Sequence, residues 1–388
     1  MKSIRNLAYI LAVVLLCMGC ASGTEKNIAA ADQMESADNI EDTITNTEEI
    51  REEETDTNQN FWIKYLEVGQ ADAALVYSSG HYMLIDGGKK EDSSLIYSVL
   101  REHEVETLDY VIGSHPHIDH IGGLPAAYNH STVGETFCSV KTYDTYDFAD
   151  FYKYACMNGQ EIIIPKAGDI YDLGPARIDI LGVNAGESVN DGSIILKITY
   201  KDTSFLFTGD AEYLAEKAVI ESGADLSATV LKVGHHGSDT SSSYQFLREV
   251  NPEVAIISVG KDNEYGHPTE TVLSRLYDCG SKIYRTDLQE NITVYSDGKN
   301  VWTETEREAS DKEIMVPGSW RNGAISDEEA TVYTDIEADY ICNENSRKFH
   351  YPTCDSVVKM SEKNKRYFNG SREDLMISGY EPCGGCKP

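Results

Sequence analysis

Residues 114–123 read Ser-His-Pro-His-Ile-Asp-His-Ile-Gly-Gly, and this stretch decides the fold of the 388-residue chain. It places three histidines and one aspartate within six positions, His115 to His120. Imidazole and carboxylate suit a borderline divalent ion, and packed cores seldom concentrate titratable groups without a partner charge. A lone histidine here would indicate only a solvated polar loop. The crowded spacing instead predicts a metal site.

The segment in front of the histidines predicts a buried strand. Leu108–Gly113 (L-D-Y-V-I-G) is short, apolar and rich in β-branched residues. The histidines therefore lie on the loop that leaves this strand. Because His115, His117 and Asp119 alternate along that loop, their side chains can converge on one point.

The histidine loop resembles the signature of the metallo-β-lactamase superfamily, His-x-His-x-Asp-His on a strand-to-helix loop of an αββα sandwich. The resemblance implies an α/β fold and a hydrolase with two divalent ions, Zn or Mn, in its catalytic site. It also implies that His115 and His117 bind the first ion, while Asp119 and His120 bind the second.

A second resemblance lies at the T-G-D that follows the strand S-F-L-F. Asp210 matches the superfamily's aspartate that bridges the two ions. Where many members have a third histidine for the first ion, this chain has Asn190 and Asp191. In this departure, and in its N-x-x-S pattern, the chain resembles the hydrolase domain of the ComEC family of DNA-uptake competence proteins. It leaves the first ion one ligand short, with Asn190 beside the ligands.

The superfamily's last ligand to the second ion is a histidine after a later strand. The predicted strand Ala228–Val233 delivers His235 and His236 to this point. We assign His236 as the ligand because its spacing from Asp210 resembles that in related phosphocholine esterases, which leaves His235 near substrate. The reverse assignment stays open.

Two further residues complete the predicted site. Asp86 ends a predicted strand, where a carboxylate can orient a metal-bound histidine. The superfamily uses an aspartate at this position. The alternative is that Asp86 belongs to an ordinary Asp-Gly turn. His267 precedes a proline at a predicted helix start near Thr269 and also resembles the ComEC pattern, with a capping role as the alternative. The candidate catalytic residues are Asp119, Asp210, His235 and His267. The segment Thr136–Tyr154 is predicted to be irregular and to line or cover the site.

The first residues are typical of an export signal. Lys2 and Arg5 precede the apolar run Leu7–Met18, which is too short to span a membrane. The run ends in L-C-M-G-C, which resembles a bacterial lipobox with Cys17 in place of the usual leucine. This predicts lipidation of Cys20 and a position on the outer face of the cell membrane. A plain secretory peptide is the alternative, and either one predicts export.

The segment after the signal predicts an extended tether. Residues 24–60 contain 12 acidic and 2 basic residues and show no apolar period, so they cannot bury enough surface to fold. The whole chain has a formal net charge of −32, most of which falls outside this segment. Such acidity counts against tight nonspecific binding of a polyanion.

Four metal-ligating side chains recur near the C-terminus as two close pairs. His350-x3-Cys354 and Cys383-x2-Cys386 predict one closed, tetrahedral structural zinc. The spacing resembles the zinc-binding domain of the Ada DNA-repair family, with His350 at the position of Ada's methyl-accepting cysteine, so methyl transfer is not implied. The alternative, given export, is a pair of disulfides, Cys342–Cys354 and Cys383–Cys386.

The charge balance also reverses at the C-terminus. Residues 338–388 contain 8 basic and 7 acidic residues. Lys359, Lys363, Lys365 and Arg366 fall between the two ligand pairs, where they could meet phosphates. We therefore expect this module to help hold nucleic acid.

Together these features predict five segments, which are a lipoprotein signal peptide (1–19), an acidic tether (20–60), a metallo-β-lactamase-fold hydrolase domain (61–301), a linker (302–337) and an Ada-like zinc-binding module (338–388). The predicted function is metal-dependent hydrolysis of phosphodiester bonds, with extracellular DNA as the substrate. One alternative is a surface esterase that acts on phosphocholine or another small phosphodiester. Another is a non-catalytic surface protein that binds nucleic acid or mediates adhesion. No obligate protein partner is evident in the sequence.

Overall fold

The structure is a computed structural model, and it describes residues 60–186, 188–318, 340–351, 354–368, 372–384, 386 and 388. The predicted signal peptide, Cys20, the tether to residue 59 and linker residues 319–337 lie outside the described residues. Within the described part of the chain, no helix combines the length and apolar character needed to cross a membrane.

The described strands form three sheets. In chain order they are β1 (Phe61–Tyr65), β2 (Ala73–Ser78), β3 (His81–Gly87), β4 (Thr107–Gly113), β5 (Thr132–Cys138), β6 (Ile162–Ile163), β7 (Ile170–Leu173), β8 (Ala176–Gly182), β9 (Ile195–Tyr200), β10 (Thr203–Phe207), β11 (Val230–Lys232), β12 (Val254–Ile257), β13 (Lys282–Arg285), β14 (Ile292–Ser296), β15 (Val301–Thr305), β16 (Tyr340–Asn343), β17 (Lys348–His350), β18 (Lys365–Phe368) and β19 (Glu381–Pro382). The order of strands within the three sheets is β15-β14-β1-β2-β3-β4-β5-β6, β13-β12-β11-β10-β9-β8-β7 and β18-β16-β17-β19.

The described helices alternate with these strands. They are α1 (Ser93–Glu102), α2 (Ile118–Ile121), α3 (Pro125–His130), α4 (Tyr146–Met157), α5 (Tyr213–Glu221), α6 (Tyr244–Val250), α7 (Glu270–Asp278), α8 (Thr286–Gln289), α9 (Asp311–Ile314), α10 (Asp355–Val358) and α11 (Arg372–Ile377). Short 3-10 turns span Lys90–Asp92, Gly234–Gly237 and Glu362–Asn364.

The two large sheets pack face to face, with helices on both outer faces. Buried side chains of both sheets form one central cluster, in which the Phe61 ring of β1 stacks on Tyr200 of β9 with centroids 4.8 Å apart. A second cluster joins the other face of the eight-stranded sheet to α1, α3 and α4. A third joins the seven-stranded sheet to α5, α6 and α7. This arrangement confirms the predicted αββα sandwich.

Parallel pairing explains where the site forms. β3, β4 and β5 run parallel, and so do β10, β11, β12 and β13. The carboxyl ends of parallel strands meet at one edge of a sheet, so the loops that follow them converge. The predicted strand Leu108–Gly113 is confirmed as part of β4, and its carboxyl end delivers the histidine loop to that edge.

The segment predicted to be irregular, Thr136–Tyr154, is instead largely regular. β5 continues to Cys138, and α4 begins after Thr145, whose side chain accepts a hydrogen bond from the Phe148 backbone N–H. The buried face of α4 comprises Phe148, Phe151 and Ala155, spaced three and four residues apart. The intervening exposed tyrosines and aspartates obscured this period in the sequence.

Residues 302–318, which the sequence assigned to a linker, belong to the sandwich. β15 pairs with β14 along its whole length and forms the edge of the eight-stranded sheet. The buried Arg285 guanidinium donates to the carbonyl oxygens of Ile314 and Val316 at 2.8 and 2.5 Å. The sequence of β15, V-W-T-E-T, mixes apolar, polar and charged residues, and this hid the strand because an edge strand buries little of either face.

The C-terminal module forms a four-stranded sheet with its own buried cluster, which includes Phe349 and Leu375. Tyr244 of α6 packs against this cluster. Asp278, at the end of α7, accepts hydrogen bonds from the hydroxyls of Tyr244 at 2.5 Å and Tyr351 at 2.6 Å. The module is therefore docked on the α6–α7 side of the sandwich.

Candidate metal-binding active site

Asp86 organises the start of the histidine loop. Its carboxylate accepts hydrogen bonds from the Ser114 backbone N–H at 2.7 Å and the Ser114 hydroxyl at 2.8 Å. Asp86 Oδ2 also lies 2.9 Å from His120 Nδ1. Because Nδ1 is engaged, the other ring nitrogen of His120 is directed elsewhere, 3.3 Å from Asp210 Oδ1. This is the orienting position predicted for Asp86.

Asp210 lies at the centre of the histidines. It follows β10 by three residues and is 2 % exposed. Its Oδ2 atom is 3.8 Å from the Nε2 atoms of His115, His235 and His236. Burial alone would raise its pKa, but the surrounding imidazoles, His120 foremost, hold the pKa of Asp210 well below its ordinary value. Asp210 is thus an ionised carboxylate in contact with both halves of the predicted site.

His236, rather than His235, lies with the predicted ligands of the second ion. Its Nε2 atom is 3.6 Å from Asp119 Oδ2, and the residue is 2 % exposed. Its Nδ1 atom lies 3.1 Å from the Ser258 carbonyl oxygen and 3.2 Å from Asp72 Oδ1. Asp119, His120, Asp210 and His236 form the carboxylate–histidine cluster, in which one ligand atom from each residue lies within 4.8 Å of the others.

His115 and His117, the predicted ligands of the first ion, lie next to each other beside this cluster, where the centroid of the His115 ring is 4.2 Å from that of the His120 ring. His115 Nε2 is 2.9 Å from His117 Nδ1, and the rings lie at 76° to each other. Burial lowers the pKa of both side chains, so both are neutral near pH 7 and have a lone pair for a metal.

Asn190 and Asp191, which replace a third histidine, have different environments. Asn190 Nδ2 lies 3.5 Å from His235 Nε2, on the side of the cavity. Asp191 is not one of the described residues that line this cavity. Its Oδ1 atom accepts from the backbone N–H groups of Glu212 at 3.1 Å and Ala215 at 3.2 Å, at the start of α5. Asn190 therefore faces the site, whereas Asp191 stabilises the helix that follows Asp210.

A cavity of about 510 Å³ opens over these residues. Its floor includes Asp119, Asp210 and His236, and its walls include His235 and His267. Further lining residues are Gln70, Lys89, Pro116, His117, Ile118, Tyr143, Thr145, Asp147, Asn190 and Tyr265. The candidate catalytic residues therefore share one open cavity.

Sequence reasoning missed the ion pair beneath His236. Lys232 Nζ lies 2.7 Å from Asp72 Oδ2, and both side chains are buried. Burial alone would raise the pKa of Asp72, but Lys232 and His236 outweigh it and hold the pKa below its ordinary value. A lysine within an otherwise apolar strand was the available signal, since a buried lysine needs a partner charge.

The cluster has the features of a metal site. Among the described residues, His120 Nε2, His236 Nε2 and Asp210 Oδ1 are buried and make no hydrogen bond of good geometry, although His120 Nε2 and Asp210 Oδ1 lie 3.3 Å apart. Leaving buried polar atoms unpaired is costly, and three of them directed at one another fit a shared cation. Imidazole and carboxylate donors suit a borderline divalent ion, so the residues fit such an ion.

The C-terminal residues form a second group. The ligand atoms of His350, Cys354, Cys383 and Cys386, hereafter the cysteine cluster, lie within 4.8 Å of one another, and all four residues are buried. His350 Nδ1 is 3.5 Å from Cys354 Sγ and 4.0 Å from Cys386 Sγ. All four cysteines of the module, including Cys342, are free thiols in the structure, so the alternative disulfide pairs are not formed.

An αββα sandwich with histidines and carboxylates gathered at one edge of its sheets defines a metal-dependent hydrolase. The family model of the metallo-β-lactamase superfamily matches residues 66–261. The chain belongs to this superfamily of metal-dependent hydrolases, whose fold binds divalent metal ions, often two.

Curated relatives match the same region. ComE operon protein 3 of Bacillus subtilis is 28% identical over 258 residues, which cover 61% of this chain and 33% of the relative. Competence protein ComA of Neisseria gonorrhoeae is 32% identical over 224 residues, covering 57% of this chain and 30% of the relative. The chain thus spans about a third of the length of these relatives.

Among solved structures, the metallo-β-lactamase fold protein YhfI of Bacillus subtilis is similar to this chain at 17% identity and a TM-score of 0.41. The similarity covers 62% of this chain and 99% of YhfI.

Proposed function

We propose that the chain is a phosphodiesterase whose substrate is DNA. The observation that supports this most is the carboxylate–histidine cluster, three of whose residues, Asp119, Asp210 and His236, line an open cavity. One curated relative is named a competence protein, and another is named a recombination protein. These names favour a nucleic-acid substrate within the hydrolase family.

In this proposal two divalent ions, Zn²⁺ or Mn²⁺, occupy the site. His115 and His117 would hold one ion, the residues Asp119, His120 and His236 the other, and Asp210 would contact both. Such ions, when bound, lower the pKa of water toward neutrality and neutralise charge that develops on phosphorus.

The protein's own residues prepare this chemistry. Asp86 and Ser258 engage the Nδ1 atoms of His120 and His236, so that each ring directs its Nε2 atom into the site. The partly exposed Asp119 lies on the cavity floor and could accept a proton from the attacking water. His235 and His267 line the wall where the phosphoryl oxygens would lie.

The cavity also offers contacts for a nucleotide. Lys89 can pair with a phosphate, and Tyr143 and Tyr265 can stack on bases. Tyr265 is 63% exposed, so its ring is accessible from solvent.

Purified protein should be incubated with plasmid DNA, single-stranded DNA and bis(p-nitrophenyl) phosphate in the presence of Zn²⁺ or Mn²⁺. We expect all three to be cleaved. Hydrolysis of the small phosphodiester without cleavage of either DNA would replace DNA with a small substrate. Absence of hydrolysis under both metals would contradict the phosphodiesterase proposal.

A surface esterase on phosphocholine or another small phosphodiester is the second candidate. The formal net charge of −32 favours it because a strongly acidic protein repels polyanions at long range. The basic residues of the C-terminal module would offset this repulsion locally. On β18, the edge strand of the module, Arg366 and Tyr367 are exposed. Substituting Lys359 and Lys363 with glutamate should weaken binding of long DNA and spare cleavage of bis(p-nitrophenyl) phosphate if the module holds DNA.

We further propose that the protein is exported and anchored by lipid at Cys20, which would place the site outside the membrane. The sequence L-C-M-G-C at residues 16–20 supports this proposal. Mass spectrometry of the membrane fraction should find a modified Cys20, and Cys20→Ser should release the protein into the medium. An unmodified N-terminus elsewhere would contradict the anchor.

A further inference from the structure

A glutamine with a fixed amide orientation contacts His267. Gln70 Oε1 accepts a hydrogen bond from the Gly260 backbone N–H at 3.1 Å. The amide nitrogen of the same side chain therefore faces the imidazole, with Gln70 Nε2 3.3 Å from His267 Nδ1. An amide NH₂ group donates and has no lone pair to accept with. His267 Nδ1 must accept this hydrogen bond, so it is the unprotonated ring nitrogen.

This contact determines where the proton of His267 lies. A neutral imidazole with an unprotonated Nδ1 carries its proton on Nε2. Burial is the main cause that lowers the pKa of His267 to about 4, which agrees with a neutral ring. The ring lines the cavity, and no hydrogen bond to its Nε2 atom occurs within the described part of the chain.

The backbone around His267 is also held in place. Asn263 accepts from the His267 backbone N–H at 3.0 Å and donates to the His267 carbonyl oxygen at 2.7 Å. The Tyr265 ring stacks on the imidazole with centroids 5.7 Å apart. These contacts limit rotation of the ring away from Gln70.

We propose that Gln70 is a positioning residue that holds His267 as a neutral Nε2–H donor, aimed at an oxygen of the bound phosphodiester. The inference rests on the proposed function because it takes the phosphodiester to lie in this cavity. It also distinguishes between two chemical roles of His267. A neutral imidazole can stabilise a charged oxygen by donating a hydrogen bond, whereas protonating the leaving oxygen would require an imidazolium.

The tautomer can be measured by NMR on the full-length, metal-loaded protein with ¹⁵N-labelled histidine. The His267→Gln variant identifies the His267 signals. In the wild type we expect an unprotonated Nδ1 and a protonated Nε2. In Gln70→Glu the carboxylate still accepts from Gly260 and replaces the amide donor by an acceptor, so the proton should move to Nδ1. A protonated Nδ1 in the wild type would overturn the proposal.

Kinetics test whether this tautomer matters for turnover. With bis(p-nitrophenyl) phosphate, Gln70→Glu should lower kcat by about 10- to 100-fold, as loss of a supporting partner does elsewhere, with little change in KM. Gln160→Glu is a matched control because Gln160 donates to the Val133 carbonyl oxygen and does not line the cavity. It should leave kcat unchanged.

The outcomes separate this inference from the proposed function. A wild type that hydrolyses no phosphodiester would contradict the proposed function and the substrate contact, while NMR would still decide the tautomer. A wild type that turns over normally, with Gln70→Glu equal to Gln160→Glu, would overturn the role of Gln70 and leave the function standing. A rise in KM alone would assign Gln70 to binding and also overturn the proposed role.

Discussion

The carboxylate–histidine cluster and the cysteine cluster differ in donors, surroundings and access. Three residues of the carboxylate–histidine cluster, Asp119, Asp210 and His236, line a cavity of about 510 Å³, and Asp119 is partly exposed. The cysteine cluster has one imidazole and three thiols, and all four residues are buried. An open site with oxygen and nitrogen donors leaves room for substrate, whereas a closed site with sulfur donors suits a structural ion.

The supports of the two groups differ as well. The carboxylate–histidine cluster is oriented by hydrogen bonds and ion pairs of Asp86, Lys232 and Ser258. These residues belong to the β3, β11 and β12 regions. The cysteine cluster belongs to a small module with one buried hydrophobic cluster of its own. A metal should therefore contribute mainly chemistry in the first group and mainly folding free energy in the second.

The largest energetic effect is expected at the cysteine cluster. Structural zinc contributes about 10 to 16 kcal/mol in small zinc modules near pH 7, so Cys383→Ser should lose one bound zinc and unfold the module. Zinc content by native mass spectrometry and hydrogen exchange of residues 340–351 should report this. Cys156→Ser, at an exposed free thiol, is the control and should keep the zinc. A wild type without zinc and with two disulfides would contradict the assignment.

The next largest effect is expected on catalysis. Asp210→Ala should lower hydrolysis of bis(p-nitrophenyl) phosphate by at least about 1,000-fold, or about 4 kcal/mol, because it removes the carboxylate that contacts both predicted ions. Circular dichroism should show an intact fold. Asp202→Ala, in an exposed turn beside β10, serves as the control. Wild-type turnover by the metal-loaded Asp210→Ala protein would exclude the site.

A smaller effect is expected from the ion pair that supports His236. Lys232→Met should destabilise the protein by about 3 kcal/mol, because it leaves the carboxylate of Asp72 buried without its lysine partner. Adding Asp72→Asn should restore most of the loss, since both charges are then gone. Urea unfolding measures both variants. Equal stability of Lys232→Met and the wild type would show that the pair does not support the site.

The smallest effect is expected at an ion pair outside both groups. A hydrogen bond from Lys197 is the main cause that lowers the pKa of Asp225 to about 2. Because the pKa is lowered in the folded protein, the ion pair adds stability at pH values above 3.8, the pKa in the unfolded chain. This stability is lost as pH falls toward 2. Asp225→Asn should cost less than about 1 kcal/mol at pH 7, because the aspartate is largely exposed.

Thermal melts of Asp225→Asn and the wild type should converge as pH falls from 4 to 2. A difference in stability that grows over this range would reverse the sign of the interaction. Zinc content and turnover should match the wild type, since the pair touches neither cluster.

Local spacing was sufficient to predict much of the site. The histidine loop follows a strand by one residue, and His115 and His117, two positions apart, lie together, whereas Asp119 belongs to the short helix α2. The αββα fold was implied by the resemblance of that loop, and of the T-G-D of Asp210, to the metallo-β-lactamase superfamily. In the same way, the short spacings of His350 to Cys354 and Cys383 to Cys386 indicated a four-ligand group, which the structure brings together.

Other elements of the fold could not be predicted, because their pattern of polar and apolar residues obscured them. The helical period of α4 was hidden among exposed tyrosines and aspartates, and β15 has the mixed polarity of an edge strand. Neither element carries a motif. In both cases the missing information was which neighbour each segment packs against.

What the sequence by itself determined was the chemistry of the ligands, because residue type and spacing within one loop set which atoms can meet an ion. What only the tertiary structure decided was the set of partners that orient them. His235 and His236 are adjacent and both have positive φ, so spacing could not tell them apart; Ser258 and Asp72 engage the His236 ring beside Asp119. Lys232 and Asp72 lie 160 residues apart and meet only because the two sheets converge at one edge.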